Sequence, residues 1–131
     1  IGIDEISGNK TNVLVVDDLD GMGPELKYIA DLATQTLFHG RHLGILCFSI
    51  NHDAFSRRVT SVKASTNECS RVILYPQIAR HVATKFMKNR LHMSKKVIDK
   101  IYKFITKSDR WMCIINHNPC CVLTSSGCLL L

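Results

Sequence analysis

No stretch of the sequence is long and apolar enough to cross a membrane. The longest apolar candidate, residues 44–50, has the length of a strand, whereas a membrane-spanning helix needs about 20 apolar residues. A basic and then apolar leader is also missing, so no signal peptide is predicted. The chain starts at Ile1 without an initiator methionine, as a fragment would. We therefore expect a protein without a membrane partner.

The Cys-x-x-Cys spacing is absent as well, which argues against a zinc site or a dithiol redox motif. The chain has six cysteines, of which Cys47 and Cys113 lie within apolar runs, where a free thiol behaves as a small hydrophobic side chain. We expect the cysteines to be reduced and the protein to be intracellular.

Internal repeats and low-complexity segments are also lacking. The 131 residues are 46% apolar and 21% charged, which is typical of a folded domain rather than a disordered segment. We expect a single domain over residues 1–131. Its formal net charge of +6 favours polyanionic partners such as nucleic acid.

Apolar runs of strand length recur along the chain. The first, residues 13–16, is continuous and rich in β-branched side chains, which indicates a strand buried on both faces, as in a parallel sheet. Further strands are predicted over residues 44–50, 71–75, 111–115 and 120–131, the last pairing back on its predecessor.

Between these runs, apolar residues recur at helical spacing. Residues 24–38 predict an amphipathic helix that Gly40 stops. A second helix is indicated by a stripe of Ile78, Val82 and Phe86. Alternating strands and helices predict an α/β fold with a mainly parallel sheet flanked by helices, and with an antiparallel edge at the C-terminal end.

The first predicted strand ends in Asp17 and Asp18, a pattern typical of the Walker B motif. A buried parallel strand delivers such acids to the carboxyl edge of its sheet, where ligands bind. There the first carboxylate can hold Mg²⁺ beside nucleotide phosphates, and the second can orient or deprotonate an attacking water. The alternative is structural, because aspartates also start turns and cap the next element of the chain.

The order of elements after these acids resembles that of the FtsK/HerA superfamily of P-loop ATPases, especially the genome-packaging ATPases of double-stranded DNA viruses and related mobile elements. Residues 13–18 read VLVVDD, a helix comes next, and residues 38–45 read FHGRHLGI ahead of a strand that ends at Asn51. The resemblance covers about residues 13–75 and is weaker beyond them. It implies part of a P-loop NTPase domain with a RecA-like fold.

The resemblance also implies roles for individual residues. Asp17 would hold Mg²⁺ and so bind the cofactor, Asp18 would be the catalytic acid, and Asn51 would take the place of a polar sensor that is usually Gln. A basic segment would offer a charge in trans to the nucleotide of a neighbouring subunit, and its candidates are Arg57, Arg58 and Lys63.

The cofactors implied by the same resemblance are ATP and Mg²⁺. The partners implied are double-stranded DNA, further copies of the chain in a homo-oligomeric ring, and capsid proteins, in the host cytoplasm or nucleus or in the virion. Plasmid transfer and chromosome segregation stay open beside packaging as tasks for such a motor.

The phosphate-binding loop of that superfamily is missing. No segment matches G-x-x-x-x-G-K-[ST], and in these ATPases the loop lies upstream of the acidic strand, which here would place it before Ile1. Without the loop's backbone amides and lysine, we expect the isolated chain to have no ATPase activity, although the full-length protein would hydrolyse ATP. The chain would then be a fragment of a longer ATPase or a decayed copy.

A third helix is expected to begin after Ser94, whose side chain would cap it. Its polar face and the residues just beyond carry five lysines that could track a DNA backbone, namely Lys95, Lys96, Lys100, Lys103 and Lys107. A solvated helix face is the alternative. No aromatic residues interleave on that polar face, which argues against stacking on single strands.

Two other functions stay open. In a response-regulator receiver domain, paired acids also end the first strand, and Asp53 would be the phosphorylated residue. Neither the Met-Pro expected soon after that Asp nor the later Lys-Pro is present. A non-enzymatic DNA-binding remnant would keep the scaffold without the chemistry, which the missing loop allows.

Overall fold

A computed structural model describes residues 12–17, 27–51 and 67–131. The chain falls into two compact units, residues 1–68 and residues 69–131. The expectation that residues 1–131 form a single domain stays a prediction.

In the first unit, a helix connects two parallel strands. β1 spans Asn12–Asp17, α1 spans Lys27–His39, one 3₁₀ turn covers Gly40–Leu43, and β2 spans Ile45–Ile50. The strands pair in register along their whole length, so that Asp17 lies opposite Ile50 at the carboxyl end. A helical crossover is what two adjacent parallel strands need, because a tight turn cannot return the chain in the same direction.

The two-stranded sheet has one covered face and one open face. Val16 and Ile45 are buried, as are Ala33 and Thr36 of α1. The alternate positions of the strands are about half exposed, namely Val13, Val15, Leu46, Phe48 and Ile50. Because successive side chains of a strand point to opposite faces, the run at residues 13–16 is covered on one face only, and not on both as its composition had indicated.

Two glycines shape the connection from α1 to β2. α1 ends at His39, but Gly40 continues into the 3₁₀ turn, and the left-handed residue is Gly44, with a φ of +68°. A Cβ added at Gly40 would lie 3.0 Å from Thr36 Cγ2 and 3.3 Å from Ile45 Cβ. Gly40 therefore permits a close approach of helix and strand, while Gly44 turns the chain into β2.

The second unit is an antiparallel sheet with two helices packed on one face. Its elements are β3 (Arg71–Leu74), α2 (Arg80–Asn89), α3 (Lys95–Phe104), β4 (Met112–Ile115), β5 (Cys121–Thr124) and β6 (Gly127–Leu130). The strands lie in the order β3-β4-β5-β6, and each neighbouring pair is antiparallel.

The expectation of an α/β fold with a mainly parallel, RecA-like sheet is therefore wrong. Within the described residues, only β1 and β2 run parallel, while the other four strands form a separate antiparallel sheet. Short connections explain the difference at the C-terminal end, since two residues, Ser125 and Ser126, join β5 to β6. Such a turn suits a hairpin and is far too short for a parallel crossover. It also divides the strand predicted over residues 120–131 into two.

The core of the second unit lies between this sheet and the two helices. Its buried members alternate along the strands and recur at helical spacing along the helices: Ala83, Met87, Ile98, Ile101, Met112, Ile114 and Val122. Burying the whole of an aliphatic side chain contributes about 1.5–3 kcal/mol, so this cluster stabilises the second unit substantially.

The helix termini agree with the sequence in one case and differ in the other. Ser94 caps α3 as predicted, because its Oγ accepts a hydrogen bond from the Val97 amide at 3.4 Å. In contrast, α2 begins only at Arg80, and Ile78 lies in the preceding turn with 84% of its surface exposed. The apolar stripe of α2 therefore does not include Ile78. Among the helices of the described ranges, none is long and apolar enough to span a bilayer.

Candidate functional site

The first unit brings two of the predicted site residues to one edge of its sheet. Asp17 is the last residue of β1 and is exposed, and Asn51 comes directly after β2 and is half-buried. Since Asp17 lies opposite Ile50 in the parallel register, the two polar residues follow neighbouring strands at the same carboxyl edge of the sheet. Ligands of parallel sheets bind at this carboxyl edge.

Although Asp17 and Asn51 lie at the same edge, they belong to opposite faces of the sheet. Asp17 continues the alternation of the exposed residues Val13 and Val15. The Asn51 side chain instead donates a hydrogen bond from Nδ2 to Ser49 Oγ at 2.9 Å, and Ser49 lies opposite the buried Val16. The edge therefore offers a solvent-facing carboxylate and an amide that a neighbouring hydroxyl holds in place.

The remaining predicted site residues of the first half lie outside the described residues. They are the catalytic candidate Asp18, the trans-acting candidates Arg57, Arg58 and Lys63, and the receiver-domain alternative Asp53. Their predicted roles stay predictions.

The donor chemistry at the edge suits Mg²⁺. Over the described ranges, no three His, Cys, Asp or Glu side chains converge as a ready metal cage. Mg²⁺ needs no such cage, because it is bound through one or two carboxylates together with waters and substrate phosphates. Asp17 would hold the ion, which would neutralise phosphate charge when bound.

Four of the cysteines are poor nucleophiles. All six are free thiols, and burial raises the pKa of Cys47, Cys113 and Cys120. Burial also raises the pKa of Cys121, and a hydrogen bond with Cys128 adds to the effect. A raised pKa keeps these groups in the unreactive thiol form at neutral pH.

The lysines of α3 are all exposed, but they do not form an uninterrupted cationic face. Lys95, Lys96, Lys100 and Lys103 lie on the side opposite the buried Ile98 and Ile101, and Lys107 comes after the helix. Asp99 stands among them, and the Lys100 ammonium donates a hydrogen bond to the Leu130 carbonyl at 3.0 Å. One of the five charges is thus already engaged within the fold.

A second basic helix face lies on α2, where the sequence pattern had predicted only an apolar stripe. Arg80, His81, Lys85 and Lys88 are exposed on this helix, opposite its buried apolar residues. The signal was present as basic residues at positions i, i+1, i+5 and i+8, which share one side of a helix. The apolar stripe by itself does not reveal this face.

Comparisons with known proteins give one weak similarity. The chain is 24% identical over 127 residues to the uncharacterized protein V3 of Sputnik virophage, a match that covers 95% of this chain and 51% of the relative. The chain thus spans about half the length of the curated relative it matches. No family model matches the sequence, and no solved structure matches it.

Proposed function

We propose that this chain is part of an ATP-driven, DNA-translocating motor of the genome-packaging type, and that its first unit supplies acidic and polar residues of the nucleotide site. The observation that carries the proposal is the parallel β1-α1-β2 unit. Its two strands bring Asp17 and Asn51 to one carboxyl edge of the sheet. The proposal draws only on this unit. The antiparallel second unit has no part in the proposed chemistry.

The roles depend on the chemistry of each group. Asp17 is exposed at the strand end, where its carboxylate would position Mg²⁺ and, through it, the terminal phosphates of ATP. Asp18, the next residue, would take a proton from the attacking water. Asn51, held by Ser49, would sense the phosphate that leaves.

Two further observations support a viral motor. The residue order VLVVDD, helix, FHGRHLGI, strand resembles the packaging ATPases, and the similar protein V3 comes from a virophage. That relative is about twice as long as the match, which leaves room for a phosphate-binding loop in a longer protein of this kind. Duplex DNA, a homo-oligomeric ring and capsid proteins are the partners that this function would require.

The catalytic assignment is tested in the longest protein that contains this chain. Replacement of Asp18 by Asn should lower kcat for ATP at least about 100-fold, since a general base contributes two to four powers of ten. Nucleotide affinity should stay within about threefold, because the base acts on water rather than on ATP binding. Normal hydrolysis by Asp18→Asn would refute the assignment.

A matched control removes the same charge elsewhere in the first unit. Asp31 is exposed on α1, and Asp31→Asn should leave both kcat and affinity unchanged. Asp17→Asn should instead raise the Mg²⁺ concentration needed for half-maximal activity.

The coding sequence upstream of Ile1 decides the broader proposal. A strand leading into G-x-x-x-x-G-K-[ST] would complete the nucleotide site. If the complete gene encodes no such loop, the motor proposal fails for this protein, and a non-enzymatic DNA-binding remnant takes its place.

A further inference from the structure

Charge is divided very unevenly between the two units. Residues 69–131 contain eleven lysines and arginines and two aspartates, a formal net charge of +9, whereas residues 1–68 contain six and nine, a net charge of −3. Of the two aspartates in the second unit, Asp109 is fully buried and only Asp99 is exposed. The surface of the second unit is therefore strongly cationic.

The outer face of α2 concentrates this charge. Arg80, His81, Lys85 and Lys88 are exposed on it, and the helix contains no acidic residue. These side chains line an open groove of about 850 Å³, together with Gln77 and Thr84. Among the described residues, three cations and no carboxylate line this groove, which suits an extended anion better than a protein surface of mixed charge.

One wall of the groove is fixed by contacts with α3. The Arg80 guanidinium lies 4.1 Å from the centre of the Tyr102 ring, an arrangement that favours the cation electrostatically. The Tyr102 hydroxyl is 2.8 Å from Thr84 Oγ1 and donates to the Arg80 carbonyl at 3.1 Å. Gln77 Nε2 donates to the Thr106 carbonyl at 2.9 Å. The groove is therefore preorganised at this end.

The dimensions and the side-chain types point to a phosphate backbone. From Arg80 to Lys88 the helix rises about 12 Å, which matches three or four phosphates along one strand of a duplex, at about 3.4 Å each. The Phe86 side chain of α2 is buried and is therefore not available to stack on unpaired bases.

We propose that the outer face of α2 docks the phosphate backbone of double-stranded DNA without reading its sequence. The choice of DNA over an RNA duplex rests on the proposed motor function, whereas the docking surface itself does not. α2 is the primary contact rather than α3, because Asp99 stands among the lysines of α3 whereas the sequence of α2 contains no acidic residue.

The test compares two variants of equal net charge in the 131-residue chain. Lys85→Gln/Lys88→Gln removes two cations from α2, and Lys96→Gln/Lys103→Gln removes two from α3. Binding to a labelled 30-base-pair DNA duplex is measured by fluorescence anisotropy, without nucleotide, over a series of salt concentrations. Circular dichroism and thermal melting establish that each variant is folded.

The α2 variant should bind about tenfold or more weakly at ~0.1 M salt, and the slope of log affinity against log salt should fall in magnitude by about 2, one for each lost phosphate contact. The α3 variant should lose clearly less on both measures. Equal losses in the two variants, or wild-type binding by the α2 variant, would overturn the assignment to α2.

Two further probes of the same sequence test the chemistry of the ligand. Tighter binding to the single strand than to the DNA duplex would contradict backbone docking of a duplex, and tighter binding to the RNA duplex would contradict DNA as the partner. Weaker binding to both supports the proposal. Since no ATP is present, a failed ATPase test and a failed binding test are distinguishable.

Discussion

Asp109 joins two loops of the second unit through its buried carboxylate. Ser125 Oγ donates to one of its oxygens, as do the amide and hydroxyl of Ser126 at 3.1 and 2.8 Å. The other oxygen accepts from the amide and hydroxyl of Thr106, each at 2.9 Å. These donors stabilise the charged form, Ser125 foremost, and hold the pKa of Asp109 well below its usual range.

Stability of the second unit should therefore depend on this charge. A carboxyl with a lowered pKa stabilises the fold at pH values above its unfolded-state pKa of about 4, and that contribution is lost as the pH falls towards the folded-state value. Asp109→Asn should lower the melting temperature at pH 7 by at least about 5 °C, and the difference from wild type should shrink as the pH falls from 4 to 2.

The control is Asp99→Asn, which removes an exposed carboxylate from the same unit. Thermal melts by circular dichroism at several pH values measure both variants. A melting temperature of Asp109→Asn equal to wild type at pH 7 would contradict the role assigned to Asp109.

Gly40 and Gly44 should lose stability to different degrees on the same substitution. Gly40→Asn would press a side chain against Thr36 and Ile45, and overpacking of this kind costs about 1–3 kcal/mol. A Cβ added at Gly44 would meet no atom within 4 Å, and its φ is +68°, a conformation that Asn tolerates better than other side chains. Gly44→Asn should therefore cost less than about 1 kcal/mol. Urea unfolding measures both, and a reversed order would contradict the packing argument.

At the scale of single elements, the cap of α3 gives the clearest expectation. Ser94→Ala removes the acceptor for the Val97 amide and should destabilise the second unit by about 1 kcal/mol. Ser94→Asp keeps an acceptor and should retain most of the wild-type stability. Urea unfolding distinguishes the two, and equal losses would show that the cap contributes nothing through its oxygen.

The sequence predicted elements better than it predicted their pairing. The Ser94 cap and the apolar residues of α3 were readable, because local hydrogen bonding and helical period depend on near neighbours. The antiparallel pairing of β5 with β4 had been expected, but the antiparallel direction of β3 had not, since runs of four apolar residues look alike in parallel and antiparallel sheets. The two-residue turn at Ser125 and Ser126 was the available clue to the hairpin.

The candidate site was predictable to a similar extent. The parallel register places Asp17, at the end of β1, opposite the last residue of β2, which is consistent with the expectation of a polar carboxyl edge. The opposite faces of Asp17 and Asn51 were not foreseen, because the end of a strand in the sequence does not fix the alternation beyond it. The basic face of α2 was predictable from the helical spacing of its basic residues, but the sequence analysis considered only the apolar stripe of this helix.

For the whole molecule, the division of charge separates two tasks. Residues 1–68 have a net charge of −3 and residues 69–131 one of +9, and the two proposals made above would place the nucleotide chemistry on the first unit and the DNA-binding surface on the second. Two functions that reside on different units should be separable by mutation.

We accordingly expect Asp17→Asn to leave duplex affinity within about twofold of wild type in the absence of nucleotide, because a lost carboxylate on the first unit removes no phosphate contact. Anisotropy titrations at fixed salt measure the effect. Lys85→Gln/Lys88→Gln serves as the opposite control, since it should weaken DNA binding alone. Loss of duplex binding in Asp17→Asn would mean that the two tasks share one surface.

The hydrogen bond from Lys100 to Leu130 has a consequence for self-association. β6 borders the described sheet, and the outer backbone of a border strand is a template on which a strand from another molecule can add. The Lys100 ammonium already donates to the Leu130 carbonyl, which an added strand would otherwise use as an acceptor. The charge of Lys100 also opposes the close stacking of identical strands. We therefore expect that neutralisation of Lys100, by acetylation for example, would favour the addition of strands to β6 and fibrous aggregation.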